Sequence, residues 1–215
     1  MPSCCRGAPC EEMFSPRQAR RSLSRYRRRG LDNLEQRMLR VASVGGVDGA
    51  MVLEIGGGIG ALQIELLGAG AGQGEIVELV SAYEPYAREL ARERGLEDRV
   101  SFRVEDVLDR PDAVDPAEIV VLNRVVCCSP DGIELAGVAA RLARRTLVLS
   151  FPRDRLLVRT GFALLNGVLR LLGRSFRIFV HAPSSLRAAA EAEGLRPLDS
   201  GHGFVWEFVA LQRPA

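Results

Sequence analysis

The sequence predicts an α/β fold in which helices cover both faces of a mostly parallel sheet. Short apolar segments alternate with helix-like segments between residues 50 and 151, which is the order of elements in parallel sheets. Residues 119–122 are continuously apolar, as expected of a strand that is buried on both faces. The length agrees with this prediction, because 215 residues suffice for one α/β domain with additions.

The chain divides into three predicted parts. Residues 1–15 contain Pro, Gly, Ser and Cys without periodicity, which predicts a disordered tail. Residues 16–46 are predicted to form an N-terminal helical cap, because apolar residues recur at helical spacing between arginines. Gly30 is expected to divide this cap into two helices. Residues 47–215 are predicted to form the main domain.

Within the main domain, strands and helices are predicted in alternation. The predicted strands are residues 50–55, 75–79, 100–104, 119–122 and 146–151, and the helices between them are 61–67, 83–94 and 131–144. Residues 153–182 interrupt this order with an apolar helical run at 156–172 and an extended piece at 176–181. A helix at 183–192 and two strands at 195–200 and 204–211 are predicted to complete the domain.

Composition excludes several kinds of chemistry. All 29 basic residues are Arg, so neither a Schiff-base lysine nor a P-loop lysine is present. The five Cys have no zinc-type spacing, and no metal site is predicted. Cys127 and Cys128 are adjacent, and neighbouring cysteines rarely bond to each other, which favours a reducing, cytoplasmic compartment. No apolar stretch has the length or position of a signal peptide or a transmembrane segment.

The strongest motif is the glycine loop, residues 52–60, with the sequence Val-Leu-Glu-Ile-Gly-Gly-Gly-Ile-Gly. A predicted strand leads into glycines and then into a helix. Glycines allow a tight turn and a close approach to a ligand, and a helix N-terminus offers free N–H groups to an anionic group. The loop therefore predicts a nucleotide-like cofactor. Gly56, Gly58 and Ala61 also fit the loose pattern of NAD and FAD proteins.

The acidic Glu54 before the loop and Gly60 at its end fit the acid-x-Gly-x-Gly-x-Gly form. With these residues the chain resembles class I S-adenosylmethionine (SAM)-dependent methyltransferases, over roughly residues 48–212. The resemblance implies a Rossmann-like, seven-stranded sheet whose last strand is antiparallel. It also implies SAM as the cofactor and an enzyme that moves the SAM methyl group to an acceptor.

The same resemblance implies a set of cofactor-binding residues. In the glycine loop these are Glu54, Gly56, Gly58 and Gly60. Glu78 ends the second strand, where a carboxylate accepts from both ribose hydroxyls, although it would serve the ribose of NAD equally well. Asp106 and Val107 follow the third strand and correspond to the adenine contacts. Asn123 ends the fourth strand, beside the methionine end of the cofactor.

Three segments look most like a bacterial small-molecule subgroup that is often compared with magnesium-protoporphyrin O-methyltransferases. They are residues 122–131, 150–154 and 176–181. This likeness implies a small acceptor, either apolar or carboxylate-bearing. It does not identify the acceptor as a porphyrin.

The acceptor side has candidate residues of its own. Methyl transfer requires a positioned nucleophile, and a hydroxyl acceptor also benefits from a base. His181 is the candidate catalytic base, and a purely structural role in its turn is the alternative. Arg124, Arg153 and Arg177 are candidate ligands for a substrate carboxylate, although a solvated helix face is the alternative interpretation.

The insertion at about residues 153–182 is predicted to act as a helical lid after the fifth strand. Its apolar run, with the N-terminal helices, could close over an apolar acceptor. Packing against the sheet, or against a second copy in a homodimer, explains the run equally well.

Three other functions compete with small-molecule methylation. The arginines between residues 17 and 29 favour an RNA or DNA methyltransferase. Few aromatic residues accompany them, and the segment after the fourth strand lacks the Asn-Pro-Pro-aromatic motif of many base N-methyltransferases, so nucleic acid is the less favoured partner. A nicotinamide-dependent oxidoreductase would lack the Tyr-x-x-x-Lys pair. The third alternative is a non-catalytic SAM-binding protein.

Overall fold

The computed structural model describes residues 8–214, apart from the side chains of residues 8, 9 and 12. The strands are β1 (Met51–Ile55), β2 (Gln73–Glu78), β3 (Val100–Val104), β4 (Ala117–Asn123), β5 (Ala143–Pro152), β6 (Arg196–His202) and β7 (Trp206–Gln212). The helices are α1 (Ala8–Met13), α2 (Pro16–Arg29), α3 (Asn33–Ala42), α4 (Ala61–Gly68), α5 (Glu84–Glu93), α6 (Gly132–Leu142), α7 (Leu156–Leu171) and α8 (Pro183–Ala192).

The strands form one seven-stranded sheet in the order β3-β2-β1-β4-β5-β7-β6. Strands β1 to β5 are parallel, and β7 runs antiparallel between β5 and β6. The predicted fold class is therefore confirmed. The strand order reverses between β1 and β4, and ligands of α/β proteins bind at the carboxyl ends of strands at such a point.

Two apolar cores lie on opposite faces of the sheet. Helices α2 to α5 bury one core, and α6 and α8 bury the other. Strand β4 serves both, because Ile119 and Val121 belong to the first core while Val120 and Leu122 belong to the second. Successive side chains of a strand point to opposite faces. This explains the unbroken apolar sequence of β4.

The N-terminal segment is more ordered than its composition indicates. Residues 1–7 of the predicted tail lie outside the described residues, whereas α1 forms a short helix within it. Cys10 is buried, and the ring of Phe14 contacts the rings of Tyr83 and Phe176. Six residues are too few to show helical periodicity, and tertiary packing stabilises this turn instead. The predicted break at Gly30 is present, where φ is 64°.

The boundary between α6 and β5 differs from the prediction. The helix expected over residues 131–144 ends at Leu142, and β5 begins at Ala143. Ala143 pairs with Ala117 of β4. Residues 143 and 144 therefore belong to the sheet and not to the helix. At its other end β5 continues to Pro152, which pairs with Trp206 of β7.

Helix α7 packs against the rest of the domain through one narrow face. Val158 is buried, and the ring of Phe162 lies 6.2 Å from that of Trp206. The Asn166 side chain accepts from the Ile178 N–H at 2.9 Å and donates to the Ile178 carbonyl at 2.8 Å. Within residues 8–214 no helix is long and apolar enough to cross a membrane.

Candidate functional site

A cavity of about 540 Å³ lies at the carboxyl ends of β1, β2 and β4. The glycine loop and the start of α4 form its floor, and the N-terminal helices form its roof. The roof is lined by Cys10, Phe14, Gln18, Ser22, Arg25 and Tyr26. The switch point of the sheet is thus a covered pocket.

The glycine loop is shaped first by the protein's own packing. Gly56 and Gly60 have φ of 65° and 70°. A Cβ on Gly56 would lie 2.6 Å from a methyl of Val125, and one on Gly60 would lie 2.5 Å from Cδ1 of Ile76. A larger residue at either position would therefore strain the backbone and displace a packed side chain, whatever the ligand. The first-turn N–H groups of α4, for which no intrahelical partner exists, begin beside the cavity at Ala61.

Glu78 lies at the end of β2, as predicted, and its carboxylate is held by backbone N–H groups. Its Oε2 accepts from Gly58 at 3.0 Å, and its Oε1 accepts from Leu79 at 2.9 Å and from Val80 at 3.3 Å. Burial raises the pKa of this carboxyl group, while the three N–H groups act to lower it. The carboxylate lines the cavity beside the glycine loop in a preset orientation.

Glu54 lies at the floor of the cavity and is only 2% exposed. Its Oε2 accepts from the Gln63 N–H at 3.2 Å. Burial raises the pKa of the Glu54 carboxyl group to about 8, and the nearby carboxylates of Glu35 and Glu78 add to this rise. The floor of the cavity therefore holds a carboxyl group that ionises more readily when a cation approaches.

Asp106 and Val107, which the resemblance assigned to the adenine contacts, both line the cavity. The Oδ1 atom of Asp106 accepts from the Leu108 N–H at 2.9 Å, so this carboxylate caps the turn after β3. Val107 is buried. The capping bond orients the loop at the cavity wall.

Asn123 lines the cavity and joins three elements. Its Nδ2 donates to Oε1 of Glu35 at 3.0 Å, and its Oδ1 accepts from the Ser150 hydroxyl at 2.8 Å. Glu35 is 4% exposed, and its Oε2 accepts from the Asp32 N–H at 2.8 Å. Glu35 is a cavity residue that the sequence reasoning missed. The Asp32-x-x-Glu35 capping box was visible in the sequence, but it indicates a helix start and not a pocket wall.

Arg124 lines the cavity but is engaged by the protein itself. Its backbone adopts φ of 61°, and its N–H donates to the Ser150 hydroxyl at 2.9 Å. Its guanidinium forms an ion pair with Asp32, lies 3.7 Å from Oε1 of Glu35, and stacks over the Trp206 ring at 5.1 Å. Arg124 thus fastens α3 to the end of β4, and its role as a substrate ligand stays a prediction.

The other two predicted substrate arginines do not line the cavity. Arg153 is 9% exposed and donates to the Gly203 carbonyl at 3.0 Å, in the turn between β6 and β7. Arg177 donates to the carbonyls of Arg174 and Phe176, both at 2.6 Å. Both predictions are corrected for the same reason, since each guanidinium satisfies nearby backbone carbonyls.

His181 also lies outside the cavity lining. Its Nε2 lies 3.0 Å from the Val126 carbonyl and 2.9 Å from the Ser129 carbonyl, and its ring stacks on Phe179. Both carbonyls only accept, so Nε2 carries a proton and donates it. The prediction of a catalytic base is corrected. His181 instead holds the loop that follows β4, which was the alternative interpretation.

Acidic residues dominate the cavity lining. Among the described residues that line it, five are acidic (Glu35, Glu54, Glu78, Glu105, Asp106) and two are basic (Arg25, Arg124). Ion pairs within the protein engage one group of each sign, since Arg124 pairs with Asp32 and Glu105 pairs with Arg110. Charge therefore favours a ligand with net positive charge. Within residues 8–214, no group of three or more His, Cys, Asp or Glu residues could hold a metal ion.

No family model matches the sequence, and no curated protein is found to match it. Solved structures do match. Magnesium protoporphyrin IX methyltransferase from Synechocystis PCC 6803 with bound SAH is 19% identical, with a TM-score of 0.68, over 95% of this chain and 100% of that one. An O-methyltransferase family protein from Burkholderia thailandensis is 21% identical, with a TM-score of 0.70, over 94% of this chain and 62% of that one.

The [4+2]-cyclase SpnF shares the fold as well, at 15% identity and a TM-score of 0.61, over 84% of this chain and 81% of that one. At such identities a structural likeness establishes the fold, and function depends on the site. The chain has the class I SAM-dependent methyltransferase fold.

Proposed function

We propose that this protein is a SAM-dependent methyltransferase that acts on a small molecule. The observation that carries the proposal is the acidic cavity at the switch point of the sheet. SAM has a sulfonium and an ammonium group against one carboxylate, so its net charge is positive. A dinucleotide carries two phosphates, which this cavity would repel. The strand order supports the same choice, because dinucleotide-binding sheets continue from strand 5 to a parallel strand 6, whereas here β7 lies between β5 and β6.

The residues at the cavity fit SAM part by part. Glu78 would accept from the ribose hydroxyls, and Asp106 and the Val107 N–H would meet the adenine. Glu54 would face the ammonium group, and the first N–H groups of α4 would face the carboxylate. When bound, SAM supplies an electrophilic methyl group, and the protein positions the acceptor against it.

The acceptor would lie under the roof formed by α1 and α2. Phe14 offers an apolar surface there, and Gln18 and Ser22 offer hydrogen-bonding groups. Arg25 is a lining guanidinium that is half exposed, with its Nη2 3.8 Å from Glu35. It takes the place of Arg153 and Arg177 as the candidate ligand for an acceptor carboxylate.

Glu35 is our candidate for receiving a proton from a hydroxyl or amine acceptor. It is buried at the cavity wall, next to Asn123 at the end of β4. A carboxylate has about four acceptor sites on its two oxygens, so the two hydrogen bonds that Glu35 already accepts leave further capacity. No histidine competes for the role among the residues that line the cavity.

Calorimetric titration with SAM, and separately with NADH, tests the cofactor. We expect micromolar binding of SAM, no binding of NADH, and at least tenfold weaker SAM binding in Glu78→Ala, about 1.4 kcal/mol. Glu97→Ala is the matched control, because Glu97 is an exposed acid outside the cavity. A folded protein that binds NADH and not SAM would disprove the proposal.

Release of S-adenosylhomocysteine in the presence of apolar carboxylates, phenols and amines tests the reaction. We expect turnover with one of these classes, and a lower kcat in Glu35→Gln if the acceptor must lose a proton. The cyclase neighbour supports one second candidate, a SAM-binding protein without methyl transfer. Tight SAM binding without turnover on any acceptor would favour that candidate.

A nucleic-acid acceptor is the less favoured possibility. Arg17, Arg20, Arg21 and Arg28 are exposed on α2 and could contact phosphates. The same helix covers the cavity, however, so a base would have to pass the roof to reach it. RNA binding that weakens steeply with salt, together with methylation of that RNA, would reverse this preference. We also propose a cytoplasmic location, because the sulfur atoms of the adjacent Cys127 and Cys128 lie 4.0 Å apart, too far for a disulfide between them.

A further inference from the structure

Helix α7 exposes a row of large apolar side chains. Leu157, Leu164 and Leu171 recur every seven residues and are 78%, 68% and 89% exposed. Val168 and Leu172 extend the row and are 51% and 69% exposed. We call these five residues the α7 stripe. Monomeric proteins seldom expose so continuous an apolar surface unless it binds something.

The α7 stripe points away from the protein body. At 100° per residue, Leu164 and Leu171 lie about 160° and 180° from Phe162, whose ring contacts Trp206. No residue of α7 lines the cavity. The predicted lid over an apolar acceptor is therefore corrected, since the face of α7 that is apolar and free is turned outward.

The charges around α7 have one sign. Residues 153–177 contain six arginines and one acidic residue, Asp154. Arg159 and Arg170 lie on the same flank of the helix, about 20° apart around its axis. Arg155 precedes the helix and Arg174 follows it. Arg170 lies about 100° around the axis from Leu171, so these two arginines stand on one flank of the helix, between its buried face and the stripe. Apolar helices with arginines on a flank and at their ends are typical of helices that lie in the surface of an anionic bilayer.

We propose that α7 docks this protein on an anionic lipid bilayer, with the α7 stripe among the acyl chains near the headgroups. Sixteen helical residues measure about 24 Å, so the helix can lie along the surface over its whole length. The arginines would then contact lipid phosphates. The proposal concerns a surface away from the cavity and does not depend on the proposed methyl transfer.

Two other occupants explain the observations less well. A second copy of the chain could cover the stripe, but the four exposed arginines of each copy (Arg155, Arg159, Arg170, Arg174) would then meet with only Asp154 to offset them. RNA could contact the arginines, but it would leave exposed leucines such as Leu164 and Leu171 without a partner. Only an anionic apolar surface satisfies both features.

Vesicle flotation tests the proposal with the full chain. The probes are vesicles of phosphatidylcholine alone and vesicles that also contain phosphatidylglycerol. We expect binding only to the second kind, weakened by salt. The double variant L164D/L171D should bind at least about 100-fold more weakly, because burying each leucine is worth about 1.5–3 kcal/mol and 1.4 kcal/mol is tenfold. Arg170→Glu should weaken binding without abolishing it.

Val44→Asp is the matched control. Val44 is an exposed apolar residue that follows α3, far in sequence from α7, and its replacement should leave vesicle binding unchanged. Both positions of the double variant are exposed, so we expect it to fold, and its circular dichroism spectrum should match that of the wild type.

Three results would overturn the proposal. The first is a wild-type chain that does not float with anionic vesicles, and the second is equal binding by L164D/L171D. The third is a dimer in sedimentation equilibrium that L164D/L171D converts to monomer without any vesicle binding, which would assign the stripe to a second copy. RNA binding that depends on Arg170 but not on Leu164 would likewise argue against a membrane.

Discussion

Replacing Glu54 by Gln tests whether the floor of the cavity holds a proton. Burial raises the pKa of this carboxyl group to about 8 from an ordinary value of 4.5. Between these two pH values the folded protein keeps a proton that the unfolded chain releases. Unfolding therefore releases a proton, and the free energy of unfolding falls as the pH rises toward 8.

The size of the effect follows from the pKa difference. One pH unit corresponds to about 1.36 kcal/mol, so the three units between pH 5 and pH 8 amount to roughly 4 kcal/mol. Gln cannot ionise, and its side-chain oxygen can still accept the Gln63 N–H that Glu54 accepts. The Glu54→Gln variant should therefore lack the decline in the free energy of unfolding that the wild type shows as the pH rises. Its stability relative to the wild type should rise by roughly 4 kcal/mol from pH 5 to pH 9.

Urea unfolding of both proteins at pH 5, 7 and 9, at one salt concentration, measures this difference. Other titrating groups cancel in the comparison, because both proteins contain them. Glu97→Gln is the matched control, since Glu97 is exposed, and its stability should parallel that of the wild type at all three pH values. A difference between Glu54→Gln and the wild type that stays constant within about 1 kcal/mol would refute the reasoning.

The same proton affects the proposed binding of SAM. A cation beside Glu54 favours its ionised form, so binding at pH 7 should release a proton. The affinity of the wild type should then rise with pH and level off above about 8, the pKa of Glu54 in the empty protein. Glu54→Gln should bind SAM more weakly at pH 8.5 and should lack this rise. Calorimetry in buffers of different ionisation enthalpy counts the released protons directly.

Three further substitutions, with Gly95→Ala as a control for the first, test the packing of the site. Gly60→Ala should lower the free energy of unfolding by about 2–3 kcal/mol, because its Cβ would lie 2.5 Å from an isoleucine side chain. Gly95→Ala, also at positive φ but with open space around it, should cost only about 1 kcal/mol. Asn123→Ala should cost about 1–3 kcal/mol, since Glu35 loses a buried hydrogen-bond donor, and should weaken SAM binding. His181→Ala should cost about 1–2 kcal/mol and leave the pH profile of methyl transfer unchanged.

Urea unfolding measures the stabilities of the four variants, and calorimetry measures SAM binding. Equal costs for Gly60→Ala and Gly95→Ala would contradict the close approach at Gly60. If Asn123→Ala leaves the free energy of unfolding unchanged, the hydrogen bond from Asn123 to Glu35 does not contribute to stability. A pH profile that shifts in His181→Ala would restore this histidine as a candidate base.

The sequence alone determined the sheet and the floor of the cavity. Strands and helices alternate in an order that only a mostly parallel sheet accommodates, and parallel strands bring their carboxyl ends to one edge. Residues that end strands or follow them directly, such as Glu78, Asp106 and Asn123, must therefore lie near one another, and all three line the cavity. The order of apolar segments and the alignment of parallel strands are therefore sufficient to predict that these three residues lie close together.

Only the tertiary structure decided which polar side chains face the cavity and which satisfy the protein itself. Arg124 pairs with Asp32, which lies 92 residues away in sequence, and Asn123 bonds with Glu35, which lies 88 residues away. His181 donates to carbonyls more than 50 residues before it. Long, flexible side chains take the nearest partner in space, and sequence spacing does not specify that partner. The outward direction of α7 was hidden for the same reason, since both faces of the helix are apolar and packing alone chooses the buried one.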